Sequence, residues 1–266
     1  MLIGYKNSSN LGFLIGKFIG PIFKSRSSII NNLKEVKIIN KDNLKEISNN
    51  VFGNYGRIFS EYVHLKNFRN NRLNRFISIE GKEYLEDIVK QNKKVVFISG
   101  HFNNFELMAM QLEKLGINLA AIYRPLNNIY LNKTMEHIRK NFICKKQIKK
   151  GRSGSRELIK YFKDGTSIAL MIDQRVREGI NINFFNKLAP TTTIPAQLVK
   201  KYNCEVVPIY IERKEKFFFK MNISNPISFK NNESIEEITL HLNKILEKMI
   251  LKNIDQWIWT HNRWKN

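Results

Sequence analysis

Apolar positions change their spacing near residue 95. Between residues 26 and 90 they recur three and four positions apart, as in Ile29, Ile30 and Leu33, which predicts a helical N-terminal region. From Val95 onward, short β-branched runs alternate with amphipathic segments. Strands that alternate with helices predict an α/β fold, with a mostly parallel central sheet flanked by helices.

The individual elements follow from the same pattern. We predict strands at residues 95–99, 119–123, 144–148, 167–172, 206–211 and 217–223, the last of them antiparallel. We predict helices from Asn103 or Asn104 to a stop at Gly116, and then over residues 130–141, 155–163, 195–202 and 234–250. The stretch between residues 172 and 195 is predicted to be a loop.

The first 25 residues form a separate hydrophobic segment in this prediction, and residues 26–266 form a single domain. Its apolar run, Leu11 to Phe23, has thirteen residues and is interrupted by Lys17 and by Gly20-Pro21. A membrane-spanning helix needs about 20 apolar residues, so none is indicated. Two interpretations remain: an interfacial membrane anchor with basic flanks, or an N-terminal helix packed on the core.

The chain is strongly basic, with 45 Lys and Arg against 23 Asp and Glu and a formal net charge of +22. Nucleic acid, an anionic membrane and an acidic carrier protein would all satisfy this charge. The positive residues are dispersed and no nucleic-acid-binding motif is present, so nucleic acid is not the expected partner. Cys144 and Cys204 form no C-x-x-C pair and are interpreted as small buried residues.

The strongest candidate for chemistry follows the strand at residues 95–99. On one continuous helix His101 and Glu106 would point about 140° apart. If the helix begins at Asn103 or Asn104, the two side chains approach each other, Glu106 holds the imidazole, and His101 serves as a general base. The alternative is a capping Asn, a helix-start Glu and an incidental His.

Other candidate side chains lie where further strands end. Arg124 is placed to bind a phosphate or carboxylate, and Asp173 and Gln174 end the strand at 167–172. Arg152 and Arg156 lie in a Gly-containing segment suited to a phosphate. The alternatives are a surface ion pair for Arg124, a cap for Asp173 and a solvated basic loop for the two arginines.

These residues carry a resemblance. Residues 100–106, GHFNNFE, are similar to the H-x-x-x-x-D/E motif of glycerolipid acyltransferases and to the H-x-G-N-W-E form of the lipid A late acyltransferases. Asn103 and Asn186 stand where that family has Gly, and Phe105 where it has Trp; Asn tolerates left-handed backbone geometry, so both turns are expected to persist. Further similar blocks occur in the family's order, with weaker similarity upstream at Asn32, Leu33 and Glu61: Tyr123–Pro125, Met171–Gln174, Phe184–Ala196 and Gln256–Lys265.

The resemblance implies direct transfer of a fatty acyl group from acyl carrier protein to a hydroxyl of a lipid A precursor. His101 and Glu106 would be catalytic, and backbone N–H groups near Asn103 and Asn104 would bind the oxyanion. It also implies a glycerolipid acyltransferase-like fold, an anionic membrane lipid and glycolipid acceptor as partner, the cytoplasmic face of the bacterial inner membrane as location, and no metal or other cofactor. Another lipid acceptor, a basic nucleic-acid- or membrane-binding protein, and an inactive relative are the alternatives.

Aromatic and histidine residues near the C-terminus complete the set. Trp257, Trp259 and Trp264 alternate with cations, a mix typical of a membrane interface, with core packing as the alternative. The remaining histidines, including His261, are interpreted as surface or packed side chains.

Overall fold

The computed structural model describes residues 3–36 and 43–264 and, within them, not the side chain of Arg152. The helices are α1 (Tyr5–Phe23), α2 (Arg26–Glu35), α3 (Leu44–Glu61), α4 (Leu65–Arg69), α5 (Lys82–Lys90), α6 (Glu106–Lys114), α7 (Ile129–Ile138), α8 (Arg152–Lys163), α9 (Ile194–Tyr202) and α10 (Ile235–Lys252). The strands are β1 (Ile77–Glu80), β2 (Val96–Ser99), β3 (Leu119–Tyr123), β4 (Lys146–Lys149), β5 (Ser167–Met171), β6 (Ile180–Phe184), β7 (Lys187–Thr191), β8 (Val206–Lys214) and β9 (Phe218–Ile223).

Seven of these strands form one sheet in the order β1-β9-β8-β2-β5-β3-β4. All neighbours in it are parallel except β8 and β9, which pair antiparallel. The α/β prediction is therefore confirmed, and so is the antiparallel strand predicted at residues 217–223. The central strand β2 is buried along its whole length, which explains why it reads as a continuous apolar run.

Two features depart from the predicted elements. Strand β1 lies inside the region predicted to be helical; it has four residues at the sheet edge, half of them exposed. Strands β6 and β7 form an antiparallel hairpin where a loop was predicted. Its turn has Phe185 at φ 53° and Asn186 at φ 60°, so the hairpin uses left-handed residues without the Gly that normally signals such a turn.

Helix α1 packs on α3 through glycines. A Cβ added to Gly16 would lie 2.3 Å from the carbonyl oxygen of Phe52, and one added to Gly56 would lie 1.9 Å from that of Gly12. Only glycine permits this approach, in the way that small residues bring helix backbones together in small-x-x-x-small contacts. The interpretation of α1 as a packed helix therefore holds for this face.

The opposite face of α1 is apolar and exposed. Phe18, Ile22 and Phe23 expose 71%, 79% and 84% of their surface. Phe59 and Val63, from α3 and the turn after it, are exposed as well. Among the described residues, none of the helices combines the length and apolar character that crossing a membrane requires.

The C-terminal segment is part of the core. Trp257, Trp259 and Trp264 retain 2%, 0% and 7% exposure, so the membrane-interface interpretation of these tryptophans is wrong and core packing is correct. Arg263 is also buried, with its guanidinium donating to Pro190 O and Thr191 Oγ1. The segment packs on the β6–β7 hairpin and, through Trp257, on Phe102 just after β2. Burying the indole rings there removes their apolar surface from water, which stabilises the fold. Lys265 lies outside the described residues.

Candidate active site

The register of β2 on β5 brings His101 to Asp173. Ser99 pairs with Met171, and Ile172 N donates to Ser99 O at 2.9 Å. Two positions further along each parallel strand lie His101 and Asp173. His101 donates its backbone N–H to Asp173 Oδ2 at 2.7 Å, and its Nδ1 lies 2.8 Å from Asp173 Oδ1.

Asp173 is fully buried and held on a second side by Trp257, whose Nε1 donates to Oδ2 at 2.8 Å. Burial by itself raises the pKa of this carboxyl, but the charge and hydrogen bonds of His101 and the bond from Trp257 bring the pKa below its usual value. An ionised carboxylate only accepts hydrogen bonds. Nδ1 of His101 therefore carries a proton, and Nε2 is the nitrogen free to take one.

Glu106 does not hold the imidazole, and that part of the prediction is wrong. Helix α6 begins at Glu106 itself, after Phe105 as N-cap, instead of at Asn103 or Asn104. Its Oε1 accepts hydrogen bonds from Tyr62 Oη at 2.7 Å and from Arg139 Nε and Nη2 at 3.1 and 2.9 Å. A buried carboxylate requires a compensating charge, and the guanidinium of Arg139 supplies it with two donors, whereas His101 is already paired with Asp173.

Asn103 and Asn104 shape the turn between β2 and α6. Asn103 has φ 43°, so the predicted left-handed geometry is confirmed. Its N–H donates to Gln256 O at 3.0 Å and its Nδ2 to Gln256 Oε1 at 2.6 Å, while Asn104 Nδ2 donates to Glu61 Oε2 at 3.1 Å. The Asn103 N–H is thus engaged by the C-terminal segment, so the prediction that it binds an oxyanion is wrong for this donor; for the N–H groups near Asn104 it stays a prediction.

A cavity of about 540 Å³ opens beside His101. This volume lies within the usual range for a small-molecule site, about 300–1,000 Å³. Its walls are mostly apolar and come from the sheet, from α6 and from the turn after α7, including Phe97, Ile98, Met108, Leu112, Ala121, Ile122, Ile143, Ala169 and Leu170. Its polar lining includes His101, Glu106, Arg124, Asn127, Arg139, Lys150, Gln174, Thr192 and His261.

The structure brings together some of the predicted binding residues. Arg124 and Gln174 line the cavity, and Asp173 is hydrogen-bonded to His101 Nδ1. Arg156 lies exposed on α8 and is not among the lining residues. Arg152 begins α8, and the position of its side chain is not described.

Sequence reasoning missed Arg139 and His261. Arg139 follows α7, in a segment predicted only as a helix, and nothing in that pattern marks it as the partner of Glu106. His261 had a signal, since it lies in the C-terminal block that carries the resemblance. It was interpreted as a surface or packed side chain, whereas it lines the same cavity as His101.

The two thiols have no place in the site. Cys144 and Cys204 are buried, as predicted. Burial raises the pKa of Cys144 to about 12 and that of Cys204 to about 11, so both are protonated near neutral pH. Neither is suited to act as a nucleophile.

Comparison with known proteins adds to this geometry. A family described as "Bacterial lipid A biosynthesis acyltransferase" matches residues 1–266. A lipid A biosynthesis acyltransferase of Haemophilus influenzae is 27% identical over 73% of this chain; the match covers 62%, less than two thirds, of that protein. A lipid A biosynthesis lauroyltransferase of Escherichia coli is 24% identical over 96% of this chain and 84% of its own length.

A solved structure is also similar. It is the 1-acyl-sn-glycerophosphate acyltransferase of Thermotoga maritima, which is 13% identical, with a TM-score of 0.45 over 96% of this chain and 100% of that one. The family match extends over the whole chain, including the β2–α6 turn, the end of β5 and the C-terminal segment that together form the site. The chain therefore belongs to the bacterial lipid A biosynthesis acyltransferase family.

Proposed function

We propose that the protein transfers a fatty acyl group from an acyl carrier protein thioester to a hydroxyl of a lipid A precursor. Residues 26–266 would form the acyltransferase domain. The observation that carries this proposal is the His101–Asp173 pair beside a largely apolar cavity. A base is needed where the hydroxyl reacts, and an apolar space is needed for the acyl chain; both occur at one place in a chain of this family.

His101 is the general base in this proposal. Its Nε2 takes the proton of the acceptor hydroxyl as that oxygen attacks the thioester carbonyl carbon. The tetrahedral intermediate collapses with cleavage of the C–S bond, and the imidazolium returns its proton to the leaving thiolate. An ester and a free carrier thiol result, with no acyl-enzyme intermediate. Asp173 holds the tautomer and stabilises the imidazolium.

The charged residues that line the cavity have further proposed roles. Glu106, paired with Arg139, stays in the proposed site as an anionic wall of the cavity. Arg124 lies exposed at the cavity and Lys150 also lines it, so both are candidates to bind phosphate on the acceptor or the carrier. The excess of Lys and Arg would favour an acidic carrier protein and an anionic leaflet.

The exposed apolar face of α1 supports a location at the cytoplasmic face of the bacterial inner membrane. Phe18, Ile22 and Phe23 would enter the interface, and Lys24 follows them with a charge suited to anionic headgroups. Ile129 and Tyr130 at the start of α7 are exposed too, and the preceding Leu126 and Asn127 line the cavity. Docking through these residues would bring the cavity to the lipid acceptor.

A transfer assay tests the reaction and the acceptor. The purified protein is incubated with lauroyl acyl carrier protein and mixed micelles containing a lipid A precursor, glycerol phosphate or a lysophospholipid, and products are weighed by mass spectrometry. We expect one added acyl group on the lipid A precursor and none with His101→Ala. Transfer to glycerol phosphate alone would contradict the proposed acceptor.

The two carboxylates are distinguished by substitution. Asp173→Asn should lower kcat by about 10⁴-fold, by analogy with loss of the orienting carboxylate in a catalytic triad, and should change the tautomer of His101 observed by ¹⁵N NMR. Glu106→Gln removes an anion from the cavity wall and should lower activity without changing that tautomer. Asp164→Asn, an exposed position after α8, is the control. A tautomer that responds to Glu106→Gln and not to Asp173→Asn would refute the assignment.

A further inference from the structure

His261 has one ring nitrogen fixed by the backbone. Arg175 N lies 3.0 Å from His261 Nε2, and a backbone N–H only donates. Nε2 is therefore the acceptor and carries no proton. In the neutral ring the proton must be on Nδ1, so the tautomer follows from the contact itself.

The backbone of His261 and the side chain before it are also held by hydrogen bonds. His261 O accepts a hydrogen bond from the buried side chain of Asn32 at 2.9 Å, and Tyr55 Oη lies 2.9 Å from Thr260 Oγ1. His261 lines the cavity that His101 lines. Among residues 3–36 and 43–264, no hydrogen-bond acceptor is found for its Nδ1–H.

The proposed reaction requires a donor for the oxyanion of the tetrahedral intermediate. Asn103 N–H donates to Gln256 O, and Nε and Nη2 of Arg139 donate to Glu106. Asp173 and Glu106 are acceptors. His261 lines the same cavity as His101 and carries an N–H for which no acceptor is found in the described part of the chain.

We propose that His261 donates its Nδ1–H to the carbonyl oxygen of the bound thioester and to the oxyanion that forms from it. This role rests on the proposed acyl transfer. A neutral imidazole is suited to it because, unlike a cation, it does not repel His101 when that ring becomes protonated. Neutral imidazoles are known to act as electrophiles in this way.

The electrostatic surroundings support a neutral ring. Burial lowers the pKa of His261 to about 4; Asp173 opposes this shift, while the positive charges of His101, Arg263 and Lys24 add to it. The ring is therefore uncharged at neutral pH.

Two substitutions separate the two nitrogens. In His261→Asn the amide nitrogen takes the place of Nδ1, which keeps the cavity donor and loses the acceptor for Arg175. In His261→Gln the terminal amide oxygen takes the place of Nε2, which keeps the acceptor for Arg175 and loses the donor. A residue that only holds the backbone would be rescued by Gln, whereas an oxyanion donor would be rescued by Asn.

We expect His261→Gln to lower kcat by about 10²–10³-fold, the usual effect of losing one oxyanion donor, with KM changed little. His261→Asn should lose about tenfold or less. The inference is overturned if Gln retains more activity than Asn, if both lose the same, or if KM alone rises.

A binding measurement without turnover tests the proposed contact of His261 independently of the acyl transfer reaction. The probe is a lauroyl-pantetheine analogue in which methylene replaces the sulfur, so that the carbonyl is kept and no transfer occurs. With ¹⁵N-histidine-labelled protein, binding should shift the Nδ1 resonance of His261, assigned by its loss in His261→Asn. An unshifted Nδ1, or failure of the analogue to bind, overturns the inference. Wild-type protein that binds the analogue but transfers no acyl group contradicts only the proposed function.

Discussion

A buried ion pair between Glu61 and Arg213 holds the turn of the site to the N-terminal helices. Arg213 Nη1 and Nη2 donate to Glu61 Oε1 and Oε2 at 2.7 and 3.0 Å, and both side chains are nearly inaccessible. Ser9 of α1 donates to Glu61 Oε1 at 2.7 Å and Asn104 donates to Oε2. Glu61→Gln removes the negative charge at the centre of this network with almost no change in shape.

The expected loss of stability follows from the charge of Arg213, which the substitution leaves without a partner. Burial lowers the pKa of Arg213, but Glu61 and Tyr5 together raise it above its usual value, so the guanidinium is charged in the native protein. After the substitution that charge lies buried with no anion, a situation that costs about 3–5 kcal/mol of the free energy of unfolding. For a chain of this size the melting temperature should fall on the order of 10 °C. Activity should fall as well, because Asn104 loses its ionic acceptor.

Urea unfolding of Glu61→Gln, Arg213→Met and the double variant measures the coupling in a double-mutant cycle. The double variant should be more stable than the sum of the single losses predicts, since it leaves no unpaired charge. The ion pair between the exposed Glu80 and the half-buried Lys220 is the control, and Glu80→Gln should change stability by less than about 1 kcal/mol. Additive losses, or a loss for Glu61→Gln no larger than for Glu80→Gln, would refute the reasoning.

Three further outcomes are expected. Gly56→Ala should cost about 1–3 kcal/mol in urea unfolding, because its Cβ would meet Gly12 O at 1.9 Å, whereas Gly4→Ala, with open space around it, should be neutral. Asn103→Ala should be less stable than Asn103→Gly by about 1–2 kcal/mol, since φ 43° strains Ala and does not strain Gly; equal stability would contradict this. The pKa of His261 is about 4 in the folded protein against 6.5 in the unfolded one, so the unfolded chain takes up the proton first as pH falls. Wild type should therefore lose up to about 3 kcal/mol between pH 6.5 and 4 that His261→Asn does not lose, and parallel stability–pH curves would contradict it.

Patterns that depend on neighbouring residues were read correctly from the sequence. Strand β3 occupies residues 119–123 as predicted, because a short buried parallel strand is apolar at nearly every position. The left-handed geometry of Asn103 and Asn186 also followed from residue type, since Asn is the side chain that best replaces Gly there. Strand β1 and the β6–β7 hairpin were missed although β1 and β6 alternate between apolar and polar residues, because these runs have only four and five residues and the hairpin turn contains Phe185 and no Gly.

The partner of His101 could not be predicted from neighbouring positions in the sequence. Glu106 was chosen because it is near in sequence, but the first turn of α6 directs its carboxylate to Tyr62 and Arg139. Asp173 is 72 positions away and reaches the imidazole through the pairing of Ser99 with Met171, a register set by how β2 and β5 pack. Since parallel neighbours end at one edge, a residue two places past one strand lies beside the residue two places past the next. Once the strand order is known, the partner of a residue at the end of one strand should therefore be sought at the end of a neighbouring strand before it is sought in the helix that follows.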